Sequence, residues 1–337
     1  MKRLARLAIA AAVLSLTPAS VFAWGGSGHR FIGEAAMRGL PADLPAFLHT
    51  AQAARDVGEY SREPDRSKSA GRAYDSDRDA GHFVDLGDDG KILGGPALSA
   101  LPATRAEYET ALRAVGQDSW KAGYLPYSIV EDYQQLAKDF AYWRVLDAAA
   151  ASRAWAAHKA WFQADKRRRE AQILADIGEL SHFVGDGSQP LHVTAHFNGW
   201  GDFPNPNGYS AAKLHSAFEG AMVRAGVTGA AVAAKMPPPK ALDGPIEKQV
   251  ADYLAATHAQ VVPLYEMEKA GGMATGDPRG PAFATRQIAI GAAALRDLIA
   301  EAWKASIAET VGWKPPVAVA DVVAGKIDPY PLLYSVD

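Results

Sequence analysis

Strand-like alternation of apolar and polar residues is scarce in this chain, while Ala-rich stretches with apolar residues three and four apart recur along most of it. That spacing puts apolar side chains on one face of a helix and does not fit the two-residue repeat of a half-buried strand. It predicts helices over Gly33–Leu40, Leu44–Arg55, Ala106–Gly116, Ile129–Trp161, Lys166–Val184, Ala211–Ala225, Ile246–Lys269 and Phe283–Ile307. Breaks are expected at Pro41, Gly94-Gly95-Pro96, Gly199–Tyr209, Pro237-Pro238-Pro239 and Gly276–Pro281, where Gly and Pro interrupt the pattern. The expected fold class is all-α: one mostly helical domain over residues 24–310. Residues 311–337, with Pro315, Pro316, Pro329 and Pro331, are expected to run as an extended Pro-rich tail strapped over the helices.

The first 23 residues read differently. Lys2, Arg3 and Arg6 precede an apolar run from Leu7 to Leu16, and small residues follow near Ala23. A basic start, a short apolar stretch and small residues at the cut predict a signal peptide removed after Ala23, hence a periplasmic or secreted protein. About ten apolar residues are too few to span about 30 Å of hydrocarbon. Removing three cations and no anions moves the formal charge from −3 to −6. A mildly acidic chain lacks the basic footprint that tight duplex DNA binding requires. There is no cysteine, so any metal must be held by His, Asp, Glu or backbone groups.

The segment that carries chemistry is Ala175–His192, ADIGELSHFVGDGSQPLH. His182 and Asp186 stand four apart and project from the same face of a helix, where imidazole and carboxylate can share one cation. His192 follows after Pro190 bends the chain. A second pair four apart, His215 and Glu219, lies in KLHSAFEGAMV. Upstream, Gly25, Gly26 and Gly28 allow the backbone at Trp24 to fold tightly towards His29. Gly81-His82-Phe83-Val84-Asp85 follows an acidic loop containing Asp65, Asp75, Asp77 and Asp79. A single such pair is usually a surface ion pair; the order and combination of the pieces point to a metal centre.

Together these blocks resemble the zinc-dependent nucleases and phospholipases C, a group with an all-helical, three-zinc fold, over about Trp24 to Val223. The resemblance implies a first zinc held by Asp65, His82, His182 and Asp186, with Asp75 or Asp77 competing for the place of Asp65. It implies a second held by His192, His215 and Glu219. A third would be held by the amine and carbonyl of Trp24, by His29 and by Asp186 as a shared bridge. The chemistry implied is metal-assisted attack of water on phosphorus, with Asp65 and Asp186 in the catalytic group. Lys68 or Arg66 would neutralise the phosphoryl oxygens. Phe83 and Asp85 would line the pocket for a base or headgroup.

Trp-Gly-x-x-Gly-His and His-Phe-Val-Gly-Asp-Gly-x-Gln-Pro-Leu-His look like the nuclease branch. His-Ser-Ala-Phe-Glu, where nucleases usually carry His-x-x-Trp-Asp, is closer to the phospholipases. The expected function is therefore a zinc-dependent phosphodiesterase, a nuclease acting on single-stranded DNA or RNA. The alternatives are phospholipid as substrate and a zinc-binding helical protein without catalysis. The loop Asn198–Tyr209, with Trp200, Phe203 and Asn205, is a candidate base-stacking surface.

Overall fold

A computed structural model describes residues 24–68, 71, 73 and 78–333. The signal-peptide reading, Asp75 and Asp77 lie outside the described residues. The chain is mostly helical, as the periodicity requires, with one two-stranded ribbon among the described residues. The principal helices are α1 Gly25–Arg38, α2 Ala51–Tyr60, α3 Glu63–Arg66, α4 Arg105–Arg113 and α5 Leu125–Ala151. They continue with α6 Lys159–Gly187, α7 Ile246–His258, α8 Val261–Lys269 and α9 Arg279–Ala305. No helix among the described residues is long and apolar enough to cross a membrane.

Local chemistry sets the boundaries. Thr104 and Glu107 form a capping box at the start of α4, satisfying backbone N–H groups that have no partner inside the helix. Thr50 caps α2 through Ala53 N–H. Pro126 sits in the first turn of α5, where its missing N–H costs nothing. Pro263 does the same for α8, which is why the helix expected over Ile246–Lys269 is two helices. The helix expected over Ile129–Trp161 also divides. Ser152 turns extended, and Trp155 packs into an apolar cluster that a continuous helix would miss.

The tail departs from an extended strap. Thr310–Val311 (β1) pairs antiparallel with Val317–Ala318 (β2), and Val319–Val323 forms a helix, α10. Val311, Val317, Val319 and Val322 then pack with Val145, Leu146 and Phe162 as a second small core. Alternating valines that bury one face outweigh the prolines, which are confined to the hairpin tip and the terminal turn.

The main core lies between α1, α2, α5, α6 and α9, with α5 and α6 forming the longest contact. It brings the ends of α1 and α6 together. Gly28 is required there, since a Cβ would lie 2.6 Å from the Trp24 Cβ. Gly185 on α6 is likewise required, because a Cβ would come within 2.8 Å of His29 Nδ1.

Candidate metal centre

Five elements converge on the last turns of α6. His182 and Asp186 project inward from it, with no exposed surface. His29 comes from α1, and its ring stacks on His182 with centroids 4.0 Å apart. Asp65 comes from α3 and His82 from the turn Asp79–His82. His192 follows in the turn Pro190–His192. His215 and Glu219 stand at the edge and within a π-helix, Ala217–Met222. The helix expected over Ala211–Ala225 is thus a loop to Leu214 and then a widened turn, a form that recurs at functional sites.

Three buried groups of side chains can each hold a metal ion: His29, His182 and Asp186; Asp65, His82 and His182; and His192, His215 and Glu219. In each group the ligand atoms lie within 4.8 Å of one another. The first two share His182. Asp186 touches the most partners, with Oδ2 at 2.9 Å from His82 Nδ1 and 3.3 Å from His182 Nε2. Its Oδ1 lies 3.5 Å from His29 Nε2 and 3.8 Å from His192 Nδ1.

Hydrogen bonding tests whether these residues suit a cation. His182 Nδ1 donates to Ser61 O at 2.8 Å, His192 Nδ1 to His82 O at 2.6 Å and His215 Nδ1 to Phe197 O at 2.8 Å. A carbonyl only accepts, so each Nδ1 carries a proton and each ring turns its Nε2 inward, with a free lone pair whenever the ring is neutral. The Nε2 atoms of His192 and His215 then face one carboxylate oxygen, Glu219 Oε1, at 3.0 and 2.7 Å. Lone pairs facing lone pairs repel unless a cation or proton stands between them. Both nitrogens of His29, Asp186 Oδ1 and Glu219 Oε2 are buried without a hydrogen-bond partner. Buried polar atoms rarely go unpaired, and a cluster of them could accommodate a metal ion.

The electrostatics agree. Burial opposes the charge on Asp186, but His182 and His192 hold its carboxyl well below the usual range. Burial opposes the charge on His192 too, yet Asp186 and Glu219 raise it to about 9. Burial and the neighbouring His182 lower His29 to about 3, and burial lowers His82 to about 4. Both rings are therefore neutral donors at pH 7.

Lys68 Nζ lies 2.7 Å from Asp65 Oδ1. Burial disfavours its charge, but Asp65 and Asp186 raise its pKa above the ordinary lysine value. Arg66 turns away to Glu63 and Glu59 on the surface. Phe83 and Asp85 follow His82 and are partly buried; burial pushes Asp85 up to about 7. Trp24 is fully buried, its indole N–H donating to Gly185 O and Ser188 Oγ at 2.9 Å. Its carbonyl accepts Gly28 N–H at the start of α1, so the glycines at this end form helix rather than a loop. In the loop after Asn198, Trp200 is packed on His196 and Tyr265, whereas Phe203 is exposed. Asn205 braces Tyr209 through its side chain.

Two contributors carried no sequence signal as ligands. Gln189 is fully buried, accepts Leu191 N–H and donates to Glu219 Oε1 at 2.7 Å, fixing that carboxylate. Phe197, 48% exposed, supplies the carbonyl that orients His215. No protein family, curated protein or solved structure matches this chain.

Proposed function

We propose that this chain is a zinc-dependent phosphodiesterase. One observation carries the reading: three buried imidazole–carboxylate groups, two of them overlapping through His182, border Asp186, with inward atoms left unpartnered. Nitrogen and carboxylate donors without thiolates suit zinc, and three-ligand groups leave a position for water or substrate, as catalytic zinc sites do. Bound zinc would supply Lewis-acid polarisation of a phosphoryl oxygen and lower the pKa of an attacking water.

The chain's own residues would do the rest. Asp186 holds two ligand groups at one carboxylate, and Gln189 keeps Glu219 turned to His192 and His215. Lys68 keeps a cation beside Asp65, where it would offset negative charge on a bound phosphate. Single-stranded nucleic acid is the substrate favoured, with Phe197 and Phe83 as ring faces for an unstacked base. Phospholipid is the second reading, favoured by the His215–Glu219 block. Mature protein is expected to bind about three zinc ions and to hydrolyse bis-p-nitrophenyl phosphate, with a chelator abolishing turnover and zinc restoring it. A folded preparation that takes up no zinc would overturn the reading. Single-stranded DNA, RNA and phosphatidylcholine vesicles assayed side by side would then identify the substrate.

A further inference from the structure

A groove of about 580 Å³ lies between α7, α9 and the segment 237–242. Its walls follow from helical spacing: Gln249, Tyr253 and Ala256 recur on one face of α7, and Ile290, Ala294 and Leu298 on one face of α9. Pro237, Pro238 and Pro239 form the third wall, presenting rings and no backbone N–H. The Tyr253 hydroxyl donates to Val184 O of α6 at 2.6 Å, so this residue adds mainly ring surface to the groove.

The polar groups of the lining are not matched to one another. Both carboxylates are engaged. Asp297 accepts from Arg296 Nε at 2.9 Å and from the backbone N–H of Lys240 at 3.3 Å, and Asp252 pairs with Lys248 at 2.6 Å. The Lys240 ammonium and the Gln249 side-chain amide also line the groove, and neither has a partner among the described residues. Arg296, 4% exposed, donates to Pro237 O at 2.9 Å, and its Nη2 is buried without a partner. Lys240, Lys248 and Arg296 thus stand against Asp252 and Asp297, three cations to two anions. Free donors beside an apolar trough suit a molecule that joins a carboxylate to a hydrocarbon chain. A cationic head group would find both carboxylates already paired and a lysine of its own sign.

We propose that this groove binds a free long-chain fatty acid, its chain laid along Tyr253, Ile290 and Ala294 and its carboxylate met by Lys240 and Gln249. A concave site of this volume, with mostly apolar walls and a few polar groups to fix orientation, is the form that small-molecule sites take. The groove shares no lining residue with the three metal groups, and its assignment does not rest on the phosphodiesterase reading.

Isothermal titration calorimetry of the purified protein with laurate, kept below the concentration at which it forms micelles, tests this. Saturable binding is expected, and laurate should bind about tenfold more tightly than decanoate because two further methylenes are buried. Dodecyltrimethylammonium, with the same chain and the opposite charge, should bind at least about tenfold more weakly than laurate. Lys240→Glu should weaken laurate by about tenfold, and Lys240→Arg should keep it. Lys240 and Ala256 are both exposed, so substitutions there keep the test clear of folding failure. Ala256→Trp fills the groove from α7 and should abolish binding. Laurate that fails to bind, that binds no better than dodecyltrimethylammonium, or that binds Ala256→Trp as well as the native chain overturns the site. No turnover is measured, so hydrolysis of bis-p-nitrophenyl phosphate bears on the phosphodiesterase reading alone.

Discussion

The two ends of α6 are held in place by opposite means. Near its start, Phe162 packs with Val311, Val317, Val319 and Val322 in an apolar cluster closed by the tail. Near its end, His182 and Asp186 are buried among imidazoles and carboxylates whose inward atoms lack partners. The first end gains from removing apolar surface from water and needs nothing added. The second bears the cost of burying polar groups, which a bound cation would offset. One helix thus joins a region complete in the polypeptide to one whose groups could hold a metal ion, so the two should respond to different perturbations.

The largest contrast is expected from Asp186→Asn. It keeps the shape but removes the charge beside two ligand groups, so zinc should fall by about two ions and turnover by a factor of about 10³. Glu219→Gln should lose about one ion and less activity. Elemental analysis beside bis-p-nitrophenyl phosphate kinetics decides, and equal, mild effects would remove the shared role of Asp186.

Phe162→Ala perturbs the other end. Deleting a fully buried ring should cost about 3–5 kcal/mol in denaturant unfolding while zinc content stays unchanged. Loss of zinc from this variant would show the two ends to be one cooperative unit.

A subtler expectation concerns pH. Without metal His192 holds its proton to about 9, so zinc must displace it at pH 7. Apparent affinity at the His192 group should therefore rise about tenfold per unit from pH 7 towards 9, then level. His29 and His82, lowered to about 3 and 4, add no slope in this window. Titration against a chromophoric chelator measures it; a flat profile would contradict the charge assigned to His192.

The smallest effect sharpens the site's own architecture. Gln189→Ala frees Glu219 Oε1 and should weaken zinc at the His192 group by about 10–100-fold, sparing the other two. Uniform weakening of all three would mean that Gln189 holds the loop rather than the ligand.

Much of this molecule is legible in its sequence because the relevant physics is local. Helical spacing depends on side-chain direction along one segment, so the all-α class and the pairing of His182 with Asp186 and of His215 with Glu219 follow from residue order. Other features depend on segments far apart in the chain. The division at Ser152, the hairpin in the Pro-rich tail and the π-turn at Glu219 are settled by what packs against them. So is the choice between Lys68, which reaches Asp65, and Arg66, which faces solvent. Gln189 as the brace of Glu219 and the carbonyls of Ser61, His82 and Phe197 as anchors for three histidines belong to the same class. Residue order names the donors; only tertiary packing sets which way each imidazole turns, because its proton goes to whichever carbonyl the fold brings within reach.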